Sequence, residues 1–163
     1  MNEISESFWA ETNVLVTGGA SFIGSHLVDK LVSNGANVTV VDNLVSGKKE
    51  NLNDSWEKIK FLENDLEYIT KSDLKKIFTD QEIVFHLAAI HGGRGFITTH
   101  PADVSSNFSI DHHVFDGCNE TNVKNIIFAS TACVYPTELQ KNIGSDYKLK
   151  ESDSNPLKFD GFL

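Results

Sequence analysis

The sequence predicts an α/β fold, with a parallel sheet covered by helices on both faces, and three observations carry that expectation. Short apolar runs rich in Val and Ile recur along the chain. Segments with apolar residues at helical spacing separate them. The runs lack polar alternation, so both faces of each strand are buried, as in a parallel sheet.

Each element follows in order. Val14-Leu15-Val16-Thr17 is an apolar run that stops at glycines, the mark of a buried strand. From Gly24 to Val32, Leu27 and Leu31 form one stripe with Ile23, beside Val28 and Val32, and Asn34-Gly35 ends that helix. Val38 to Asp42 is a second strand rich in β-branched residues, and Asn43 to Glu57 reads as polar loop and irregular turn. Ile59 to Leu62 forms a short third strand. Asp73 to Phe78 forms a helix with Ser72 as its cap. Ile83 to Ala88 is the fourth strand, His91 to His100 a glycine-rich loop, Ala102 to Glu120 a long helix, and Asn125 to Ser130 the fifth strand. After Tyr135-Pro136 the chain turns polar and irregular. The expected strand order is 3-2-1-4-5, with a ligand crevice where the order switches: a Rossmann-type doubly wound sheet in a single domain.

Composition narrows the function. The 163 residues carry a net charge of −9, with acidic residues spread along the chain. Such a chain is a poor counter-ion for phosphate backbones, so no nucleic-acid partner is expected. No apolar run has the length of a membrane span. Cys118 and Cys133 make neither a disulfide framework nor a zinc site, and no metal is expected. The segment Met1–Thr12 has three glutamates and no basic cluster, unlike a signal peptide. These features fit a reduced, cytoplasmic setting.

The chemistry begins at Thr17-Gly18-Gly19-Ala20-Ser21-Phe22-Ile23-Gly24, between the first strand and the first helix. A dinucleotide pyrophosphate must approach backbone N–H groups at a helix N-terminus, and side chains there obstruct it. Gly24 also lets the helix pack tightly on the sheet. No Gly-Lys-Ser/Thr closes the segment, so it is not a P-loop. Ser21 stands where a glycine is usual, and its hydroxyl is expected near a phosphate. Asp42 ends the second strand, where a carboxylate accepts hydrogen bonds from ribose hydroxyls and repels a 2′-phosphate. Lys48 and Lys49 are the nearest cations, several residues on, so the reading is NAD rather than NADP.

The series resembles the extended short-chain dehydrogenase/reductase family of nucleotide-sugar epimerases and dehydratases. Thr17 to Gly24 resembles that family's TGxxGxxG, with Ser21 as the departure, and Val41-Asp42-Asn43-Leu44 its second-strand end. Asn64-Asp65-Leu66 resembles the segment whose aspartate meets the adenine amino group. Phe85-His86-Leu87-Ala88-Ala89 is similar to the fourth-strand motif beside the cofactor, and Asn107 stands where the family has a helix asparagine. Ser130-Thr131-Ala132-Cys133-Val134-Tyr135-Pro136 resembles the fifth-strand motif with its catalytic Ser or Thr. His91 to Ile97 and Thr131 to Pro136 look most like GDP-mannose 3,5-epimerases.

The resemblance implies transient hydride transfer from a sugar carbon to NAD. Thr131 then hydrogen-bonds the reacting hydroxyl. Cys133 either moves a proton at a neighbouring carbon, as in the 3,5-epimerases, or packs as a small buried residue. Arg94, with Gly93 in the glycine-rich loop, either grips a sugar or phosphate oxygen or is a surface arginine. His86 reads as a satisfied strand histidine and Cys118 as packing.

The family's Tyr-x-x-x-Lys base is missing. Tyr68 is followed at that spacing by Ser72, Tyr135 by Leu139 and Tyr147 by Glu151. The resemblance thus implies a sheet incomplete at the C-terminus, a C-terminal substrate domain outside residues 1–163, and a fragment inactive alone. It also implies a nucleotide-sugar partner in the full-length enzyme and a possible homodimer. The alternative is a non-catalytic NAD-binding sensor.

Overall fold

A computed structural model describes residues 6–131, 134–136, 139 and 148–154. They fall in two compact units, Met1–Phe128 and Ala129–Leu163. The first unit holds the sheet. Its strands are β1 (Asn13–Thr17), β2 (Asn37–Asp42), β3 (Ile59–Glu63), β4 (Ile83–His86) and β5 (Asn125–Phe128). They run parallel in the order β3-β2-β1-β4-β5, with Val16 opposite Val40 on one side and Phe85 on the other. Helices α1 (Glu6–Trp9), α2 (Phe22–Ser33), α3 (Lys71–Phe78), α4 (Arg94–Thr99), α5 (Pro101–Ser105) and α6 (Asn107–Glu120) complete it.

The pleat sorts the strand residues into two cores. Val14, Val16, Val38 and Val40 face α2, meeting Val28 and Leu31, with Leu52 from the β2–β3 connection. Leu15, Val41 and Val84 face the other way, against Leu74 and Phe78 of α3 and Ile110 and Val114 of α6. Both faces of the central strands are therefore dry, which is why their sequences show no polar alternation. Gly117 of α6 lets the helix settle on Phe78, whose ring lies 2.9 Å from where a Cβ would stand.

Local boundaries differ from the sequence reading in several places: α2 starts at Phe22 behind its Ser21 cap, β5 ends at Phe128 rather than Ser130, and 3-10 turns at Lys49–Leu52 and Trp56–Lys58 interrupt the 43–57 loop. Helix α3 starts earlier, because the Thr70 hydroxyl, not Ser72, accepts the Asp73 N–H as its cap. Strand β4 ends at His86, where the chain bends to pass over Gly18. The glycine-rich segment 91–100 contains helix α4, capped by Gly93 in extended conformation. The expected 102–120 helix is two helices: Pro101 opens α5, and α6 starts afresh from Ser106. Asn107 anchors that fresh start, since its amide grips the chain after β4 rather than projecting to solvent.

In the second unit, the Val134 N–H donates to the Thr131 carbonyl and the Leu139 N–H to the Pro136 carbonyl. A 3-10 turn spans Glu151–Asp153, closed by the Lys150 N–H donating to Asp153 Oδ2 at 2.7 Å.

Candidate functional site

At the carboxyl ends of the strands, where the order switches between β1 and β4, a cleft of about 490 Å³ opens. One wall is the turn from β1 to α2. Gly18 takes φ +70°, and its N–H donates to the Val41 carbonyl at 2.8 Å, tying the turn to β2. A Cβ on Gly18 would stand 2.8 Å from Ala88 N, so the fourth-strand exit occupies the space a side chain needs. Gly24 is equally confined: a Cβ there would lie 2.7 Å from Gly19 Cα. These two glycines let the turn, the helix end and the β4 exit converge.

Ser21 is the N-cap of α2. Its hydroxyl donates to the Gly18 carbonyl at 2.7 Å and accepts the Gly24 N–H at 3.1 Å. Its hydroxyl proton is thus directed at the turn itself, and Ser21 lines the cleft. The first-turn amides of Phe22 and Ile23 have no acceptor among the described residues. Both side chains point to solvent, so these residues act at the site through their backbone.

Asp42 is buried at the end of β2, 7% exposed. Its Oδ2 accepts the Ala20 N–H at 2.9 Å and its Oδ1 the Leu44 N–H at 2.8 Å. Ala20 is held at its next peptide too, its carbonyl accepting the Lys48 N–H and the Asn51 side-chain amide, the latter at 2.8 Å. The turn is therefore latched by the sheet and by the β2–β3 connection together. Asn51 escaped sequence reasoning, because nothing in a polar loop marks which residue folds back.

The second wall comes from β3. Asp65 Oδ2 accepts from the Asn43 side chain at 3.2 Å and Oδ1 from the Glu67 N–H at 2.9 Å. The Leu66 carbonyl accepts from His113 Nδ1 of α6 at 2.7 Å. The third wall is Leu87, Ala88, Ala89 and Ile90. Asn107 pins it: Oδ1 accepts the Ile90 N–H at 2.7 Å and Nδ2 donates to the Ile90 carbonyl at 2.9 Å. Both ends of the Asn107 amide are engaged, and it stands behind the cleft rather than on its wall.

Asp42, Asp65, Glu67 and Asp103 line the cleft, and no lysine or arginine does so among the described residues. Lys49 is drawn off to Glu63 at 2.8 Å. From segment 91–100, His91 and Phe96 reach the cleft; Gly93 does not, and Arg94 opens α4. Thr131 lies in the second unit, and Cys133 lies outside the described residues. Burial pushes the Cys118 thiol on α6 up to about 11. Among the described residues, no cluster of His, Cys, Asp and Glu could hold a metal, and no helix is long and apolar enough to cross a membrane.

A parallel sheet with a glycine turn at its switch point and a carboxylate at the next strand end defines a dinucleotide-binding fold. Residues 14–157 match the model of the NAD dependent epimerase/dehydratase family, and the chain belongs to that family. It is 34% identical over 121 residues to a UDP-N-acetyl-alpha-D-glucosaminuronate decarboxylase of Bacillus cytotoxicus, covering 74% of this chain and 37% of that protein. It is 30% identical over 156 residues to GDP-mannose 3,5-epimerase 1 of Oryza sativa subsp. indica, covering 94% of this chain and 39% of that one. Among solved structures it is similar to the UDP-N-acetylglucosamine 4-epimerase of Methanobrevibacter ruminantium M1, with a TM-score of 0.71 and 39% identity. That match covers 88% of this chain and 44% of the other. The chain thus spans about two fifths of the length of these relatives.

Proposed function

We propose that this chain is the NAD-binding portion of a nucleotide-sugar epimerase or dehydratase. The observation that carries the reading is the latched turn: confined glycines, two amides without acceptors, and a buried carboxylate one strand over. The residues fit a dinucleotide. The Phe22 and Ile23 amides supply donors for a pyrophosphate at the front of α2. Each Asp42 oxygen accepts one N–H and retains a lone pair for a ribose hydroxyl. Val41, Leu66, Ala88 and Ile110 offer apolar contact to an adenine, with the Asp65 carboxylate at the rim. A cleft with four carboxylates and, among the described residues, no lysine or arginine disfavours a 2′-phosphate, which selects NAD over NADP.

Bound NAD supplies a reversible hydride acceptor for a sugar carbon. On the strength of the motif, Thr131 holds the reacting hydroxyl, Cys133 moves a proton at the adjacent carbon, and Gly93 and Arg94 contact substrate. The substrate of the whole protein is a nucleotide sugar, the assembly a homodimer and the setting cytoplasmic. The 163-residue chain, without a Tyr-x-x-x-Lys pair, binds NAD weakly and turns over no nucleotide sugar.

Calorimetry with NAD, NADP and GDP-sugars tests this reading. NAD is expected to bind at least about tenfold more tightly than NADP. Tighter binding of NADP overturns the role of Asp42, and epimerisation by the purified chain overturns its inactivity.

A further inference from the structure

His86 is 1% exposed, and it is connected at both ring nitrogens. Nδ1 lies 2.8 Å from Thr17 Oγ1, and Nε2 lies 3.1 Å from Asp111 Oδ1 of α6. Thr17 decides the direction of these bonds. Its Oγ1 accepts the Ala88 N–H at 3.2 Å and shares the Leu87 N–H, also at 3.2 Å, with its own backbone carbonyl. Both lone pairs of the hydroxyl are then engaged, so its one proton runs to His86 Nδ1. His86 is therefore the neutral Nε2–H tautomer, donating to the Asp111 carboxylate. The other groups packed on the ring are Phe115 of α6 and Phe128 of β5, both uncharged.

The chain of bonds ends at the cleft. Leu87 and Ala88 form its third wall, and their backbone sits where a Gly18 side chain would stand, with Ala88 N 2.8 Å from that point. At its far end, Asp111 is one-third exposed, beside Phe108 and Val104 on the outer face of α6 and α5. Asn107 and Asp111 stand one helical turn apart, so α6 grips the β4 exit twice: at Ile90 directly and at Leu87–Ala88 through His86 and Thr17.

We propose that His86 and Asp111 are positioning residues for the dinucleotide site, setting the place of the Leu87–Ala88 wall against the Gly18 turn through the Thr17 hydroxyl. The proposal rests on the NAD reading above. It assigns a role in cofactor affinity to a carboxylate on the outside of the domain that cannot itself touch the cofactor.

Calorimetry with NAD on the full 163-residue chain tests it, with urea midpoints to confirm folding. Asp111→Ala removes the acceptor and is expected to weaken NAD binding about fivefold to tenfold. Asp111→Asn, which retains an acceptor oxygen, is expected to restore binding to within about twofold. Thr17→Val is expected to weaken binding about tenfold or more, and Thr17→Ser to restore it. Wild-type chain that binds NAD together with an Asp111→Ala variant that binds equally well overturns the relay and leaves the site reading intact. Wild-type chain that fails to bind NAD overturns the site reading and the proposal with it. Nitrogen NMR of the His86 ring tests the wiring apart from any ligand and apart from folding losses in variants. A protonated Nε2 beside an unprotonated Nδ1 is expected at neutral pH, and the opposite tautomer overturns the proposal.

Discussion

Asp42→Asn separates two roles of one carboxylate. A side chain that serves only to meet a ligand can be neutralised without loss to the unliganded protein, and removing a buried charge even helps. Asp42 is different, because each oxygen already accepts a backbone N–H, from Ala20 at 2.9 Å and Leu44 at 2.8 Å, in a site 7% exposed. Asparagine has one acceptor oxygen and one NH₂. Whichever way the amide turns, one backbone N–H faces an N–H. Losing a hydrogen bond to a charged acceptor costs about 1.5–3 kcal/mol, and the buried N–H left without a partner adds to it. The unliganded variant should therefore lose roughly 2–3 kcal/mol, equivalent to about 6–10 °C in Tm for a domain of this size. Urea denaturation without NAD reads the first role; the further stabilisation by saturating NAD reads the second. An unliganded Asp42→Asn chain as stable as wild type, or more so, refutes the argument that the carboxylate latches the turn.

Three further outcomes follow from the same contacts. Gly24→Ala gains roughly 1 kcal/mol in helix propensity but sets a Cβ against the Gly18 carbonyl oxygen and 2.7 Å from Gly19 Cα, an overpacking on backbone atoms that costs about 1–3 kcal/mol. Stability should thus fall by up to about 2 kcal/mol while NAD affinity falls about tenfold by calorimetry, and unchanged affinity refutes the close approach. Burial holds the His86 pKa below its ordinary 6.5 despite the opposing pull of Asp111. The unfolded chain therefore takes up the proton first, and this contribution is complete above about pH 6.5 and lost as pH falls toward and through the folded value. Urea midpoints of wild type should drop more steeply from pH 7 to pH 5 than those of His86→Gln, and parallel curves count against it. With its thiol pushed up to about 11, Cys118 should resist alkylation in the native chain at pH 8 and react on unfolding, which peptide mass mapping can follow.

The strands were legible because burial on both faces leaves a plain mark: Val14 to Val16 are apolar without alternation, and Val38, Val40 and Val41 flank a β-branched Thr39 that is buried too. The 3-2-1-4-5 order followed from the glycine turn after the first of them. Helix breaks were less legible, since an N-cap depends on which hydroxyl reaches an amide in space; Thr70 and Ser72 are equivalent in sequence and differ only in that reach. At the site, residues that touch the cleft through a motif were visible, including Asp42, Asp65 and Ala88. Residues that hold those residues were not. Asn51, His113 and Asp111 act across separations of 31, 47 and 25 residues, and no spacing rule connects such pairs.

Ser21 shows how a departure from a pattern can be read from proton directions. Its backbone, φ −73° and ψ 173°, suits any residue, so glycine is not required there by conformation. The hydroxyl gives its proton to the Gly18 carbonyl and takes the Gly24 N–H. Toward an anion it offers only lone pairs, and it withdraws one of the three first-turn amides of α2 from use. Ser21→Gly returns that amide to the front of the helix. A cap exchanged for glycine costs only a few tenths of a kcal/mol in stability. An additional N–H aimed at a pyrophosphate should tighten NAD binding by about threefold to tenfold. The serine thus trades cofactor affinity for a closed helix end. Weaker binding by Ser21→Gly would mean that the hydroxyl turns toward the phosphate when the cofactor arrives, and the capping argument would fall.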